Sequence, residues 1–287
     1  MTNIALSLAD LMTPSPATLK PEDGLDAAMR IFDGFPFRHL PVVENKEVLG
    51  VLSDRDVQLA TGWLSTSERM RDAWGRTLPT PKQISEVMIS PVHCANLTQS
   101  PQEAAAMMVE HRIGCLPILD EGMLVGIVTE TDILGAFMHQ MATDNVPREW
   151  RQPVSMHMRS SPIALDPNIE IGAALDLCLS NHIRHLPVVE GGKLIGLLSD
   201  RDIRLGLARS SISDTQAQSE GRMSIPNIRV FSVMSQFIIP IRPSCTLTDA
   251  AGILVKNKIS CLPVVAKDKL LGMLTQTDIL RHFALQS

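Results

Sequence analysis

Apolar and polar positions alternate along this chain in an order that returns four times. In the first copy, LDAAMRIFDGF (residues 25–35) has apolar residues at the spacing of an amphipathic helix. Two short β-branched runs follow, HLPVV and VLGVL, separated by the polar turn ENKE. A second apolar helix follows the serine and charges of GVLSDRDV (50–57). The pattern predicts the order β-α-β-β-α in each copy, an α+β fold.

The four copies keep one register without a gap. Each begins at a methionine (Met12, Met88, Met158, Met234), and a proline, a glycine and an aspartate follow 29, 38 and 44 positions later. The starts lie 76, 70 and 76 residues apart, so a longer period of 146 relates the first copy to the third and the second to the fourth. RHLPVV and LSDRD recur in the odd copies, CLP and TDIL in the even ones. The chain therefore reads as a duplicated two-repeat module.

The repeats and their connections have the following predicted boundaries. Module A (7–141) contains repeat 1 (7–62), a polar linker (63–83) and repeat 2 (84–141), and module B (154–285) contains repeat 3 (154–208), a linker (209–229) and repeat 4 (230–285). A unit of about 50 residues with two helices buries its apolar faces poorly alone. The repeats should therefore pack in pairs, one pair in each module.

Composition excludes several classes of protein. The 287 residues carry a formal charge of -5 and only 3% aromatic residues, which argues against a nucleic-acid surface. Without a stretch of about 20 apolar residues or a signal peptide, a soluble cytosolic protein is expected. The cysteines, such as Cys115 and Cys261, are interpreted as reduced core residues. Metal-ligand and catalytic signatures are absent from the sequence, so we expect neither a metal site nor an enzyme.

The segment Gly-x-x-Ser/Thr-x-x-Asp occurs in all four repeats and has two interpretations. Ser53 followed by Asp56 before an apolar helix is the signature of a capping box, which would stabilise the helix alone. A ligand site is the alternative. The glycine would leave room for a ligand. Each odd repeat has an Arg-His pair at the start of a buried strand, where charge is costly without a partner (Arg38-His39, Arg184-His185). Each also has an arginine in the first turn of a helix, where the dipole favours anions (Arg55, Arg201).

A phosphate is the partner that gathered basic groups near a helix start would suit. A carboxylate can accept from two ribose hydroxyls, so the residue types suggest a nucleoside-phosphate site. The even repeats differ, with Gly114-Cys115 and Ser260-Cys261 in place of Arg-His, and Glu130-Thr131 and Gln276-Thr277 in place of Asp-Arg. Three outcomes stay open for their sites: no ligand, charge borrowed from the paired repeat, or a less charged ligand.

The motifs MTPSPATL, RHLPVV and VLGVLSDRD, with their three further copies, strongly resemble the CBS-domain family over essentially the whole chain apart from the linkers. The resemblance implies that paired repeats form two Bateman modules, similar to the arrangement in the γ regulatory subunit of AMP-activated protein kinase. It implies ribose contacts from the repeated aspartates, Asp56, Asp132, Asp202 and Asp278. It implies hydroxyl contacts near phosphate from Ser53, Thr129, Ser199 and Thr275. Basic phosphate contacts would come from Arg38, His39, Arg55, Arg184, His185 and Arg201.

The function expected on this basis is regulatory and non-catalytic. The chain would bind an adenine nucleotide (AMP, ADP or ATP) as its regulatory ligand in clefts between paired repeats and pass a conformational signal to an unidentified protein. A homodimer is expected, and contact with a membrane or with nucleic acid is not. The alternatives are a ligand-free structural or dimerisation scaffold, or a sensor of another adenosyl ligand such as S-adenosylmethionine or cyclic di-AMP.

Overall fold

The computed structural model describes residues 6–35, 37–60, 81–141, 146–211 and 228–284. The predicted linkers 63–83 and 209–229 lie outside these residues apart from 81–83, 209–211 and 228–229. The chain divides into two compact units. The first consists of Met1–Pro147, Ala251–Lys258 and Gln276–Ser287, and the second of Arg148–Ala250 and Ile259–Thr275.

Repeats 1 to 3 have the predicted order of elements, preceded by a short helical turn, whereas the first predicted strand is missing from repeat 4. Repeat 1 contains α1 (Leu8–Leu11), β1 (Thr13–Pro14), α2 (Leu25–Gly34), β2 (His39–Glu44), β3 (Glu47–Ser53) and α3 (Asp54–Ala60). Repeat 2 contains a 3-10 turn (Ile84–Glu86), β4 (Ala95–Asn96), α4 (Pro101–His111), β5 (Cys115–Asp120), β6 (Met123–Thr129) and α5 (Glu130–Met141). The α+β prediction is confirmed.

The second half of the chain repeats this order, except that no strand precedes the first long helix of repeat 4. After a 3-10 turn at Arg148–Arg151, repeat 3 contains a 3-10 turn (Val154–Met156), β7 (Arg159–Ser160), α6 (Ile171–Ser180), β8 (His185–Glu190), β9 (Lys193–Ser199) and α7 (Asp200–Ser211). Repeat 4 contains α8 (Val230–Val233), α9 (Leu247–Asn257), β10 (Cys261–Ala266), β11 (Lys269–Thr275) and α10 (Gln276–Ala284). The last helix, α10, belongs to the first compact unit.

The central feature of each repeat is an antiparallel hairpin with the same register and the same bulge. β2 and β3 pair from His39 opposite Ser53 to Glu44 opposite Glu47, with a shift between Val42 and Val43. The turn residues Asn45 and Lys46 both have positive φ, 50° and 71°, which is the pattern of a type I′ turn. Such turns match the right-handed twist of the strands, so the short polar ENKE segment is enough to close the hairpin.

Paired repeats exchange their leading segments, defined as residues 8–14, 84–90, 154–160 and 230–236. The Leu8 amide donates to the Gln99 carbonyl in repeat 2 (3.0 Å), and the Ile84 amide donates to the Asp23 carbonyl in repeat 1 (2.9 Å). β1 pairs with β6 of repeat 2. Ile84 is fully buried in the core of repeat 1. Each repeat in module A therefore completes the core or sheet of the other.

Repeats 3 and 4 show the same exchange within the second unit. The Val154 amide donates to the Cys245 carbonyl (2.8 Å) and the Val230 amide to the Ile169 carbonyl (2.9 Å). β7 pairs with β11, and Leu197 of β9 pairs with Ser235. The predicted pairing of repeats is thus a reciprocal exchange of backbone, which was not evident in the sequence because each exchanged strand is only about two residues long.

The repeated glycines make room for the repeated methionines of the paired repeat. A Cβ built on Gly50 would lie 2.7 Å from Met88 Sδ, and one built on Gly272 would lie 2.6 Å from Met158 Sδ and 2.8 Å from the Arg159 carbonyl oxygen. Gly126 meets Met12, and Gly196 meets Met234, in the same way. These glycines therefore leave room for a methionine of the exchanged segment, and the expectation that they leave room for a ligand is wrong.

Helices α4, α5 and α10 pack together within the first unit. The rings of Phe137 and Phe283 meet edge to face with centroids 5.0 Å apart. At the helix starts, the Thr277 hydroxyl donates to Glu130 Oε1 (2.7 Å) and Gln276 Nε2 donates to Thr131 Oγ1 (3.1 Å). The pair Glu130-Thr131 of repeat 2 thus bonds to the equivalent pair of repeat 4, Gln276-Thr277. This pairing gives a structural role to the residues that replace Asp-Arg in the even repeats.

Substitution of Gly272 by alanine should destabilise the chain because the new Cβ would press on a backbone carbonyl that cannot rotate away. We expect a loss of about 1–3 kcal/mol in the free energy of unfolding, measured by urea denaturation. Gly135 in α5 is the control, since a Cβ there meets nothing within 4 Å. Gly135→Ala should stabilise by about 0.5–1 kcal/mol through helix propensity. Equal effects of the two changes would contradict the packing argument.

Replacement of Thr277 by valine removes the hydroxyl that Glu130 accepts from. Because both groups are half-buried, we expect a loss of about 1 kcal/mol in the free energy of unfolding. Thr277→Ser keeps the hydroxyl and is the matched control, so it should lie close to the wild type. A valine variant as stable as the serine variant would show that the bond between Thr277 and Glu130 adds nothing to stability.

Candidate functional site

The hairpin register brings the two charged motifs of each odd repeat together. His39, at the start of β2, lies directly opposite Ser53, at the end of β3. The Asp54 amide donates to the Arg38 carbonyl (3.0 Å), which fastens the start of α3 to the residue before β2. The segments Arg38-His39 and Ser53-Asp56, fourteen or more positions apart in sequence, therefore meet at one end of the hairpin. All of these residues are half-buried, so they remain open to solvent.

Repeat 3 reproduces this arrangement. His185 lies opposite Ser199, and the Asp200 amide donates to the Arg184 carbonyl (3.0 Å). In repeat 2 the same geometry holds with different residues, because Cys115 lies opposite Thr129 and the Glu130 amide donates to the Gly114 carbonyl (3.2 Å). Cys261 lies opposite Thr275 in repeat 4. The scaffold is common to the four repeats, whereas the Arg-His pair belongs to the odd ones.

The hydroxyl and the aspartate of the repeated motif form a capping box. In repeat 1, Asp56 Oδ2 accepts from the Ser53 amide (2.8 Å), and the Asp56 amide donates to Ser53 Oγ (3.2 Å). Ser199 and Asp202 make the same two bonds (2.9 and 3.2 Å). Asp132 Oδ2 accepts from the amide and hydroxyl of Thr129 (2.8 and 2.7 Å). These cap bonds use one carboxylate oxygen, so a second role for each aspartate is geometrically compatible with the cap.

Capping boxes also occur away from the candidate site. Asp10 Oδ2 accepts from the amide and the hydroxyl of Ser7 (both 2.9 Å) at the start of α1. These bonds, the backbone one above all, lower the pKa of Asp10 below its usual value. Glu103 caps α4 with Ser100 in the same way. A capping box is therefore a general device in this chain, and Ser7 with Asp10 offers an internal comparison for the repeated pairs.

Asp278 differs from the aspartates of the other repeats. Its side chain is 3% exposed, and its Oδ1 lies 3.5 Å from Arg281 Nη1. The residues three positions after Asp56, Asp132 and Asp202 are Leu59, Gly135 and Leu205, none of which can form such a pair. In repeat 4, Arg281 is therefore a cation near Asp278, the carboxylate for which the family resemblance implies a ribose contact.

The candidate site in module B reaches the paired repeat directly. His185 Nε2 lies 3.0 Å from Ser260 Oγ, and both side chains are half-buried. Ser260 immediately precedes β10 of repeat 4. The predicted basic residue of an odd repeat therefore contacts an even repeat, as a site built between paired repeats requires.

Other chemical groups in the described residues give no second site. His93 and His111 stack with ring centroids 3.6 Å apart and planes 13° apart, a contact missed at the sequence level because the residues are 18 positions apart. Parallel rings cannot direct two nitrogens at one ion, and within the described ranges no three His, Cys, Asp or Glu side chains gather to hold a metal. None of the five cysteines forms a disulfide, and burial raises the pKa of the Cys94 thiol. Among the described residues, no helix has the length and apolarity that a membrane crossing requires.

A groove of about 640 Å³ in the second unit lies away from the candidate site. It is lined by Pro167, Asn168, Glu190, Ile228, Arg229, Phe231 and Ser232. Arg229 Nη1 donates to the Asn168 carbonyl there (2.6 Å). None of the predicted ligand residues lines this groove, so it contributes nothing to the candidate site.

Comparison with known proteins supports the fold over the full length. Protein MJ1225 of Methanocaldococcus jannaschii is 25% identical over 273 residues, which are 93% of this chain and 95% of that protein. Its crystal structure, described as that of a proposed archaeal homologue of γ-AMPK, matches with a TM-score of 0.80 at 23% identity, over 97% of this chain and 100% of that one. A conserved Pyrococcus horikoshii protein matches with a TM-score of 0.62 at 19% identity, over 97% of this chain and 100% of that one.

A further relative, protein MJ1404 of Methanocaldococcus jannaschii, is 26% identical over 284 residues, which are 96% of this chain and 61% of that longer protein. The sequence pattern of the CBS domain matches residues 8–60, 84–139, 154–209 and 230–285. These four ranges make up more than half of the chain and carry the four structural repeats described above. The chain belongs to the CBS-domain family and contains four CBS domains, paired as two Bateman modules.

Proposed function

We propose that this chain is a non-catalytic regulatory protein that binds adenine nucleotides, AMP, ADP or ATP, between paired CBS domains. Nucleotide binding changes how the paired domains pack and thereby signals to a partner protein. The odd repeats carry the sites with the highest affinity for phosphorylated ligands. As the family resemblance implies, the aspartate of each odd repeat contacts ribose, and its hydroxyl and basic residues contact phosphate.

The observation that carries the proposal is the convergence of the two motifs at the start of α3 and of α7. Arg38-His39 and Ser53-Asp56 come together through the hairpin register and the bond from the Asp54 amide to the Arg38 carbonyl. One end of the hairpin thus offers basic side chains, a hydroxyl, a carboxylate and the amides of a helix start. This is the mixture that a nucleoside phosphate requires, with cations for phosphate and a carboxylate for ribose.

Charge favours a phosphorylated ligand at the odd repeats. Arg55 and Arg201 lie in the first turn of a helix, where they add positive charge to the amides of the helix start. Each odd repeat therefore carries three basic residues at the positions of the candidate site, compared with none at the corresponding positions of repeat 2. In repeat 4 the Arg281 guanidinium lies near Asp278, on the carboxylate expected to hold ribose. We assign the weakest ribose binding to repeat 4.

A ligand-free scaffold is the second candidate function, and one observation favours it. The cap bonds of Asp56 and Asp202 are complete without a ligand, and Asp132 accepts from the amide and hydroxyl of Thr129, so the repeated motif already has a structural role. The scaffold alternative does not explain why the odd repeats carry Arg-His where the even repeats carry Gly-Cys and Ser-Cys. Sensors of S-adenosylmethionine or cyclic di-AMP remain further alternatives, and titration with these compounds beside AMP separates them.

Binding of AMP and of adenosine to the full chain tests the phosphate roles. We expect adenosine to bind at least about tenfold more weakly than AMP, because it cannot use charge-assisted bonds to the basic residues. The double change Arg38→Gln with Arg184→Gln should bring AMP affinity close to that of adenosine, measured by isothermal titration calorimetry. Arg112→Gln, an exposed arginine outside these segments, is the control and should bind AMP like the wild type. Equal affinities of AMP and adenosine for the wild type would contradict the phosphate contacts, and no binding of either would favour the scaffold.

A further inference from the structure

The two hairpin turns of each module lie side by side. In module A, the Leu124 amide donates to the Lys46 carbonyl (3.3 Å), which joins the turn of repeat 2 to the turn of repeat 1. In module B, Lys269 of β11 is the antiparallel partner of Lys193 of β9. Each pair of turns forms one surface, which we call a turn face. The turn face of module A comprises residues 44–47 and 120–123, and that of module B comprises residues 190–193 and 266–269.

The two turn faces carry opposite charge, and every charged side chain on them is exposed. The turn face of module A has four acidic residues and one lysine, a formal charge of -3 (Glu44, Lys46, Glu47, Asp120, Glu121). The turn face of module B has three lysines and two acidic residues, a formal charge of +1 (Glu190, Lys193, Lys267, Asp268, Lys269). The period of 146 residues places Lys193 at the position of Glu47 and Lys267 at the position of Glu121. Two charges are therefore reversed between surfaces that the duplication made equivalent.

The turn face of module B concentrates positive charge at one point of the sheet. Lys193 and Lys269 lie directly opposite each other in neighbouring strands, and like charges at such positions repel. Asp268 Oδ2 lies 3.9 Å from Lys193 Nζ, but both side chains are exposed, and such an ion pair contributes little. An acidic surface placed over the two lysines would neutralise their repulsion.

Exposed apolar side chains lie among these charges. Met123, which occupies the position of Lys269 in module A, is 43% exposed. Leu271, two positions after Lys269, is 37% exposed. An apolar centre with a charged rim is the usual composition of a contact between proteins. The two turn faces therefore offer opposite charge at the rim and apolar area inside it.

We propose that the turn face of module B binds the turn face of module A in a second copy of this chain. Contact between two like faces would bring charges of the same sign together, whereas unlike faces attract, so charge selects the pairing. Two such contacts close a dimer when each copy presents one turn face to the other. The inference concerns self-association and does not depend on nucleotide binding.

Charge reversal on each turn face tests this contact, with the molecular mass of the full chain measured by sedimentation equilibrium. The wild type should associate reversibly, and added NaCl should weaken the association because salt screens exposed charges. Lys193→Glu with Lys267→Glu makes both faces acidic, and Glu47→Lys with Glu121→Lys makes both faces basic. Each double variant should raise the dissociation constant about tenfold or more.

Lys256→Glu with Lys258→Glu is the matched control for this experiment. Both lysines are exposed, and they precede β10, away from the turn that follows it. The control changes the net charge of the chain as much as Lys193→Glu with Lys267→Glu does. It should associate like the wild type, and an equal loss of association in the control would overturn the inference, because the effect would then come from net charge alone.

An equimolar mixture of the two turn-face variants separates a specific contact from damage to the fold. One variant keeps the acidic face of module A, the other keeps the basic face of module B, and the two reversed faces also attract each other. The mixture should therefore associate about as tightly as the wild type. A wild-type chain that stays monomeric, an association that persists in both double variants, or a mixture that stays monomeric would each overturn the inference.

Discussion

The exchange of leading segments between paired repeats is the constraint on which the rest of the structure depends. Ile84 belongs to repeat 2 by sequence and to the core of repeat 1 by packing, and burial of one such side chain contributes about 1.5–3 kcal/mol. The methionine of each exchanged segment lies against a glycine of the paired hairpin, which fixes how closely the two repeats approach. Each exchanged segment therefore completes the core or sheet of the paired repeat, so the hairpin that carries a candidate site is held in part by its paired repeat.

This constraint explains how one motif can serve the fold and a ligand. In repeats 1 to 3, the Ser or Thr and the Asp after the hairpin stabilise the helix start through bonds to a single carboxylate oxygen. The hairpin register then places the basic residues of the odd repeats beside the same helix start. A capping box and a ribose site are thus compatible in one place, and the difference between the repeats lies in the residues around the cap.

The sequence was sufficient to predict the hairpins, the helices and the repeat pairing, because apolar periodicity and a fixed register encode them. It also grouped Arg38, His39, Ser53 and Asp56 through the family resemblance, and the hairpin register explains why these residues meet. The bonds of Glu130 with Thr277 and of His185 with Ser260 could not be predicted, since each depends on tertiary packing across 75 residues or more. The repeated glycines and methionines are evident in the sequence, but their contacts could not be predicted, because periodicity does not reveal which of two repeats a side chain contacts.

The most direct measurement of the dual role is the melting temperature of Asp56→Asn with Asp202→Asn, with and without AMP. Asparagine keeps an oxygen that accepts from the serine amide, so we expect the unliganded melting temperature to stay nearly unchanged. The amide offers ribose one acceptor oxygen in place of two, so most of the stabilisation by AMP from the odd sites should be lost. Asp10→Asn, which alters a capping box outside the site, should keep the full AMP shift. A double variant that melts several degrees lower without AMP and keeps the full AMP shift would show that these aspartates are caps alone.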